Sequence, residues 1–291
     1  MLLERDLRSR LGPDAARVAA QALAEDGAQD ITSNATVPAS MLATGTLEFR
    51  TPGILAGTAY ADAVATAAGL QAVTWLAETG TRIEAGNTAG LLRGNLRAVL
   101  RAERPLLNLL QRAVAIATTT ATYVEAVRGT GCKILHTRKT APGLRLLDVS
   151  AVLAGGGHLH RLDLATTVMV KDNHWRALEA SGVSLPEAMA IARSAGALDC
   201  QVEVESLAQV ELACAAGAVR LLIDNQLPET VRAWGKVARS LTNGITIEAT
   251  GGITLANIRE YAEAGADYIS IGALTHSVRA ADVSLEITET G

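Results

Sequence analysis

Short runs of β-branched and other apolar residues alternate with Ala-rich helical segments from about residue 133 onward. The apolar runs predict strands at 134–137, 167–170, 201–204, 221–223, 245–248 and 268–271, with helices between them that include 207–216, 228–240 and 255–264. Because connections this short and regular join parallel strands through right-handed crossovers, the pattern predicts a small or incomplete (β/α) barrel. An open, doubly wound parallel sheet is the alternative.

The residues before about position 112 follow a different pattern. Helical spacing over 13–25 gives way to alternating segments at 46–50 and 73–83, and this combination predicts an α+β part. A helical stretch over 96–127 joins this part to the rest of the chain. Because no Pro-rich or Ser-rich linker separates the two parts, we expect them to pack closely.

Composition and charge exclude several classes of protein. Of the 291 residues, 49% are hydrophobic and 19% are charged, which is too apolar for a disordered chain. The net charge of -4 offers no general attraction for nucleic acid, and only 3% of residues are aromatic. The three cysteines are not spaced as in a zinc site or a disulfide framework. Because charges occupy positions 4–6 and no long apolar stretch follows, we expect a cytoplasmic protein without a membrane segment.

Polar residues follow the predicted strands at the point where each strand ends. The six clusters lie at 137–140, 171–174, 203–205, 224–225, 250–252 and 270–272. Active sites of (β/α) barrels are built at this end of the strands. A charged surface would account for one such cluster, whereas six in succession indicate a functional site.

Two of these clusters carry carboxylates on neighbouring predicted strands. Glu203 and Asp224 either form structural salt bridges or bind magnesium or ribose hydroxyls. Lys171 directly follows a buried strand, so its amine needs a partner or a ligand. The turns at Gly251 and Gly272 offer backbone N–H groups ahead of helices, which predicts a phosphate site after the last two strands.

Cationic side chains gather in two further places. Arg138 and Lys139 follow the first predicted strand, and His160 and Arg161 follow three glycines at 155–157. Zinc ligation by histidine is one interpretation, but neither an HExxH motif nor a cysteine ligand accompanies it. We favour a basic pocket for a compact anion, because Arg binds carboxylates through paired hydrogen bonds.

Taken in order, these motifs resemble those of the quinolinate phosphoribosyltransferase family. The resemblance extends over nearly the whole chain and rests on residues 24–26, 30–32, 101–108, 137–140, 142–145, 155–158, 160–161, 171–174, 203–205, 224–225, 251–253 and 271–277. Each motif alone is modest, whereas the ordered set is specific.

The resemblance implies an α/β protein of the type II phosphoribosyltransferase fold. An N-terminal α/β sandwich domain would span 1–111 and an incomplete (β/α) barrel 112–275, with the tail 276–291 packing on the first domain. It also implies a homodimer with shared active sites, and leaves assembly beyond the dimer open. The implied reaction joins quinolinate to phosphoribosyl pyrophosphate and yields nicotinate mononucleotide, pyrophosphate and CO2 for NAD synthesis. Mg²⁺ is the implied cofactor.

The same resemblance assigns roles to single residues. Quinolinate would be bound by Arg138, Lys139, His160 and Arg161, together with Arg104 of the partner subunit. Phosphoribosyl pyrophosphate would be bound by Lys171, Glu203, Asp224, Thr250, Gly251 and Gly272. The catalytic group would comprise Lys139, Lys171, Glu203 and Asp224, with Mg²⁺ at the two carboxylates, directly or through water.

Several positions depart from the usual pattern of the family. Thr250, where Ser is common, keeps the hydroxyl. The other departures are His136 where Asp is common, Asp148-Val149-Ser150 where Glu-Lys-Tyr is typical, Leu159 where Asn is common and Gln226 where Met is common. Positions 149 and 159 bear on the choice of acceptor. Three alternatives therefore stay open: a paralogous phosphoribosyltransferase-like protein associated with molybdenum transport, a non-catalytic phosphate-binding barrel, and an aldolase or isomerase with Lys171 as a Schiff-base amine.

Overall fold

The computed structural model describes residues 2–290. The helices are α1 (Leu2–Glu25), α2 (Ile31–Thr36), α3 (Thr58–Ala67), α4 (Leu96–Ala126), α5 (Arg145–Ala154), α6 (Asp172–Ser181), α7 (Leu185–Ser194), α8 (Leu207–Ala215), α9 (Pro228–Leu241), α10 (Ile258–Glu263) and α11 (Ala273–His276). The strands are β1 (Leu42–Phe49), β2 (Gly53–Ile54), β3 (Thr74–Trp75), β4 (Arg82–Ile83), β5 (Thr88–Asn95), β6 (Lys133–Leu135), β7 (Thr167–Val170), β8 (Asp199–Val204), β9 (Arg220–Asp224), β10 (Thr246–Thr250), β11 (Tyr268–Ser270) and β12 (Val283–Thr290). None of the described helices is both long enough and apolar enough to cross a membrane.

The chain divides into two compact units, each built from more than one segment. The first unit takes residues 2–121, 139–157 and 273–290, and the second takes 122–138 and 158–272. The domain boundary that the sequence predicts, between residues 111 and 112, is a single cut along the chain. It stays a prediction.

The first unit holds a four-stranded antiparallel sheet in the order β12-β1-β5-β3. Strand β1 alternates between buried and more exposed positions, so one of its faces packs against the core. Leu47 and Phe49 on that face are fully buried. Opposite them on β12 lie Leu285 and Val283, which brings the end of the chain into the same sheet as β1.

The second unit holds six parallel strands in the order β6-β11-β10-β9-β8-β7. From β7 to β11 each strand pairs with the next strand in the sequence, and the last strand, β11, also pairs with the first, β6. This cyclic order is that of a (β/α) barrel, whereas an open doubly wound sheet reverses its order at a switch point. Among the described residues β6 and β7 do not pair, so the prediction of an incomplete barrel is confirmed.

Several predicted element boundaries are wrong: helix α1 begins at Leu2 rather than at residue 13, and the bounds of β6 and α10 also differ. The first barrel strand ends at Leu135 rather than at residue 137. Helix α10 begins at Ile258 rather than at 255, because a turn precedes it in which the Asn257 side chain accepts a hydrogen bond from the Thr254 N–H at 2.8 Å. Gly251 therefore does not lead directly into a helix.

Candidate active site

The register of the barrel strands places the polar residues on one face of the sheet. Glu203 pairs with Leu222, and Leu222 pairs with Glu248, so these three side chains share a face. Asp224 and Thr250 lie two residues further along β9 and β10 and pair with each other on that same face. The residues between them, Ile223 and Ala249, are apolar and buried on the opposite face.

Lys171, Glu203 and Asp224 form a charged group at the carboxyl ends of three adjacent strands. Lys171 lies at the start of α6, and its Nζ forms an ion pair with Glu203 Oε2. Glu203 is buried, and the Trp175 Nε1–H donates to its backbone carbonyl at 2.8 Å. Burial raises the pKa of Asp224, the negative charge of Glu203 raises it further, and Lys171 opposes both. One ammonium group therefore faces two carboxylates, an arrangement that favours a further cation.

This carboxylate pair suits magnesium better than it suits a preformed metal cage. Among residues 2–290, no group of three or more His, Cys, Asp or Glu side chains is placed to hold a metal ion. Mg²⁺ usually binds one or two carboxylates and completes its octahedron with water and substrate phosphate oxygens. Glu203 and Asp224 fit that donor set. Within the described residues, no group of three ligands supports zinc binding by the histidines.

The residues that follow β9 and β10 lie so close together that position 251, near Asp224, requires a glycine. Asn225 has a φ of 52°, and its Nδ2–H donates to Asp224 Oδ2 at 2.6 Å. Its own N–H donates to the Thr250 carbonyl at 3.0 Å. Gly251 has a φ of 81°, and a Cβ at this position would lie 2.3 Å from Asn225 Oδ1. The glycine thus lets the two strand ends approach, and Gly272 follows the neighbouring strand β11.

Arg138 and Arg161 form a pair of neighbouring cations in the second unit. The pKa of Arg161 is lowered by burial and then by the charge of Arg138, while Glu248 opposes the shift. Nε of Arg138 is buried without a hydrogen-bond partner. Among residues 2–290, neither guanidinium group forms an ion pair with a carboxylate of the chain. Two cations held together in this way are suited to a ligand with two negative groups.

Glu248 is a buried charged residue that the sequence interpretation did not select. It is fully buried within β10, and its Oε2 lies 3.1 Å from His160 Nε2 and 3.2 Å from Arg220 Nη1. Burial raises the pKa of Glu248, but His160 and Arg220 outweigh this effect and hold that pKa below its ordinary value. Arg220 also stacks over the Tyr268 ring at 3.9 Å. A carboxylate between Ile247 and Ala249 of an apolar strand is the signal that could have identified it.

Two predicted site residues belong to the first unit. Lys139 is exposed and lines an open depression of about 480 Å³, together with residues that include Arg112 and Thr275. Arg104 lies on α4 with 60% of its side chain exposed, and its Nη2 is 3.9 Å from Glu103 Oε1.

The positions that depart from the family pattern have different surroundings. Val149 is fully buried in α5 of the first unit, where it is a packing residue. The backbone carbonyl of Gln226 accepts a hydrogen bond from the Tyr261 hydroxyl at 3.0 Å. Leu159 is half-buried, and His136, the residue directly after β6, is fully buried.

Comparison with known proteins gives matches over almost the whole chain. Residues 30–114 match the family model of the quinolinate phosphoribosyl transferase N-terminal domain, and residues 116–286 match that of the C-terminal domain. A nicotinate-nucleotide pyrophosphorylase [carboxylating] of Mycobacterium leprae is 40% identical over 264 residues, which cover 89% of this chain and 91% of that protein. The protein of the same name from Homo sapiens is 38% identical over 242 residues, covering 82% and 80%. The solved structure of the nicotinate-nucleotide pyrophosphorylase from Francisella tularensis superposes with a TM-score of 0.86 at 31% identity, covering 95% of this chain and 97% of that one.

Proposed function

The chain belongs to the quinolinate phosphoribosyltransferase family, and we propose that it is the decarboxylating pentosyltransferase of NAD biosynthesis. It transfers the phosphoribosyl group of phosphoribosyl pyrophosphate to quinolinate and forms nicotinate mononucleotide, pyrophosphate and CO2. The observation that carries this proposal is the Arg138 and Arg161 pair, which forms no ion pair with a carboxylate of the described residues. A pyridine dicarboxylate supplies the two negative groups that such a pair lacks.

Quinolinate binding follows from the chemistry of the guanidinium group. Each guanidinium can bind a carboxylate through two parallel hydrogen bonds, so two arginines fix both the position and the rotation of a planar dicarboxylate. A monocarboxylate such as nicotinate would leave one of the two guanidinium groups unpaired in a partly buried site. This difference supports selection of quinolinate over nicotinate.

Phosphoribosyl pyrophosphate would lie across the ends of β8 to β11. The backbone N–H groups near Thr250, Gly251 and Gly272 would bind its 5-phosphate, and Glu203 and Asp224 would bind the ribose hydroxyls. Because the ribose carbon gains positive charge as pyrophosphate leaves, the nearby carboxylates stabilise the transition state. Mg²⁺, which the same two carboxylates would hold, would neutralise pyrophosphate charge when bound.

The reaction itself needs positioning more than proton transfer. The ring nitrogen of quinolinate forms a bond to ribose C1 while the bond from C1 to the pyrophosphate oxygen breaks. The bond from ring C2 to its carboxylate then breaks, CO2 leaves, and the electron pair stays on C2 beside the positively charged nitrogen. A proton added at C2 completes nicotinate mononucleotide. Lys171 is the ammonium group of the site that would face carboxylate or pyrophosphate oxygens, and it is held by Glu203.

We further propose that the active form is a homodimer in which Arg104 of the partner subunit contributes to the quinolinate site. The family resemblance and the exposure of Arg104 on α4 support this assignment. Lys139 keeps its proposed role toward quinolinate on the same ground of resemblance. The cytoplasm is the proposed compartment.

The test is an assay of purified protein with Mg²⁺, phosphoribosyl pyrophosphate and either quinolinate or nicotinate, with nicotinate mononucleotide followed by chromatography. Product from quinolinate and none from nicotinate is the expected result. Equal use of nicotinate would contradict the role of the arginine pair. Binding of phosphoribosyl pyrophosphate without product from either acceptor would instead support the non-catalytic barrel.

A further inference from the structure

Asn225 has a backbone conformation that few residues other than glycine adopt. Its φ is 52°, and among residues 2–290 it is the one residue besides glycines with a positive φ. Because the Cβ atom crowds the backbone in this left-handed region, the conformation costs free energy unless the surrounding structure holds it. Asn adopts it more readily than most residues, so a role in the turn alone is one explanation. Such conformations also cluster at functional sites, which is the other.

Two hydrogen bonds hold the turn in which Asn225 lies, between β9 and α9. The Asn225 N–H donates to the Thr250 carbonyl at 3.0 Å, which ties the turn to the end of β10. The carbonyl of the next residue, Gln226, accepts a hydrogen bond from the Tyr261 hydroxyl at 3.0 Å. Tyr261 is itself buried in α10. The left-handed conformation is therefore fixed by two neighbouring elements, β10 and α10.

The fixed backbone places the Asn225 side-chain amide between Asp224 and Gly251. The Nδ2–H donates to Asp224 Oδ2 at 2.6 Å, and hydrogen bonds to a carboxylate are stronger than those between neutral groups. On the other side, a Cβ at position 251 would lie 2.3 Å from Asn225 Oδ1. The amide thus packs against the Gly251 backbone and has little room to turn away from Asp224.

The second carboxylate oxygen of Asp224 has no such partner in the chain. Within residues 2–290, the hydrogen bond to the Asp224 carboxylate is the one from Asn225, and it engages Oδ2. The charge of Lys171 acts on Asp224, but the ion pair of Lys171 is with Glu203. Oδ1 of Asp224 is therefore the oxygen that is available to a ligand.

We propose that Asn225 is a positioning residue of the phosphoribosyl pyrophosphate site, which holds Asp224 Oδ2 and thereby presents Oδ1 to the ribose hydroxyls. The proposal rests on the proposed function, since that function gives Asp224 its role toward the ribose. Asn225 acts through Asp224 and does not itself contact the substrate. This role explains why an asparagine occupies a left-handed position, because glycine would give the same backbone without the amide.

Two substitutions at position 225 separate the amide from the backbone turn. Asn225→Gly removes the amide but keeps the turn, because glycine takes a positive φ without steric cost. Asn225→Ala removes the amide and also strains the turn. We expect both variants to bind phosphoribosyl pyrophosphate about fivefold to tenfold more weakly, as loss of one hydrogen bond to a carboxylate implies. Only the Ala variant should unfold at a clearly lower temperature than the unaltered protein.

Titration calorimetry with phosphoribosyl pyrophosphate in the presence of Mg²⁺ gives the Kd values, and thermal unfolding without ligand gives the unfolding temperatures. Quinolinate, titrated separately, should bind Asn225→Gly with a Kd within about twofold of the unaltered value, because Asn225 serves the other substrate. Asn243→Gly is the matched control. Asn243 is an exposed asparagine in the turn before β10, at the opposite end of the barrel strands, and its substitution should change neither Kd.

Two outcomes of these titrations would overturn the proposal alone. If Asn225→Gly binds phosphoribosyl pyrophosphate as tightly as the unaltered protein does, the asparagine serves the turn and not the site. If Asn225→Gly weakens both substrates equally, its effect is not specific to the ribose carboxylate. An unaltered protein that binds no phosphoribosyl pyrophosphate is a distinct result, because it would refute the proposed function and this proposal together.

A crystal structure of the unaltered protein with phosphoribosyl pyrophosphate bound tests the same geometry without any variant. We expect Asn225 Nδ2 to stay on Asp224 Oδ2 and a ribose hydroxyl to donate to Oδ1. A ribose hydroxyl on Oδ2 with the amide displaced, or a direct hydrogen bond between Asn225 and the substrate, would overturn the proposal.

Discussion

Replacement of Arg138 by Ala should weaken quinolinate binding far more than binding of phosphoribosyl pyrophosphate. The Nε of Arg138 is buried without a partner, and the charge of Arg138 lowers the pKa of Arg161. Both facts place the guanidinium group where a carboxylate would satisfy it. The substitution removes this group and leaves Arg161 as the remaining cation of the pair.

The size of the effect follows from the kind of hydrogen bond that is lost. Truncating one partner of a buried, charge-assisted contact costs about 2 to 4 kcal/mol, or roughly 30-fold to 1,000-fold in Kd. Loss of the repulsion between the two guanidinium groups offsets part of this cost, so we expect the lower half of the range. Titration calorimetry with quinolinate and with phosphoribosyl pyrophosphate gives the two Kd values separately.

Two further variants serve as controls for Arg138→Ala. Arg138→Lys keeps the charge but loses the paired hydrogen bonds, so its quinolinate Kd should lie between those of the Ala variant and the unaltered protein. Arg232→Ala removes an exposed arginine of α9 and should change neither Kd. If Arg138→Ala weakens both ligands equally, or weakens quinolinate less than about threefold, the arginine pair is not the dicarboxylate site.

Three other predictions test separate parts of the account. Gly251→Ala should lower the unfolding temperature and raise the KM for phosphoribosyl pyrophosphate more than Gly252→Ala does. Both glycines have a positive φ, but only a Cβ at position 251 would meet neighbouring atoms. Equal effects of the two substitutions would contradict this reasoning. Because burial and a neighbouring carboxylate raise the pKa of Asp224, its ionised form costs folding free energy; Asp224→Asn should therefore raise the unfolding temperature at about pH 8, and the gain should vanish below about pH 4. A gain that is independent of pH would contradict the cause given. If Arg104 of the partner subunit completes the site, mixing the impaired Arg104→Ala and Arg138→Ala proteins should restore about one quarter of the unaltered activity. The reason is that half of the dimers are then mixed, and each mixed dimer has one intact site of two. No recovery of activity on mixing would refute a shared site.

The barrel could be predicted from the sequence because its strands are buried on both faces. Such strands appear as short apolar runs between helices, and five of the six predicted runs overlap their strands by three residues or more. The polar clusters at the ends of these runs then predicted that Lys171, Glu203 and Asp224 lie at one edge of the sheet. The register of β8 to β10 explains why Glu203 and Asp224 lie on the same face of that sheet.

Contacts between residues distant in the sequence could not be predicted in the same way. Glu248 and His160 meet across 88 positions, and the partners of His136 depend on where β6 ends and on the path of segment 158–161. The local pattern of apolar and polar residues does not predict contacts between residues that are so far apart in the sequence. The pairing of β12 with β1 joins strands about 240 residues apart in the sequence, and it likewise depends on the tertiary structure.

The central claim is that this enzyme removes the carboxylate next to the ring nitrogen of quinolinate as it forms the nucleotide. The most direct measurement uses quinolinate labelled with ¹³C in the C2 carboxylate and follows labelled CO2, pyrophosphate and nicotinate mononucleotide in one reaction. The account predicts equal amounts of the three products and no label in the nucleotide. A nucleotide that keeps the label, or pyrophosphate released without CO2, would contradict it.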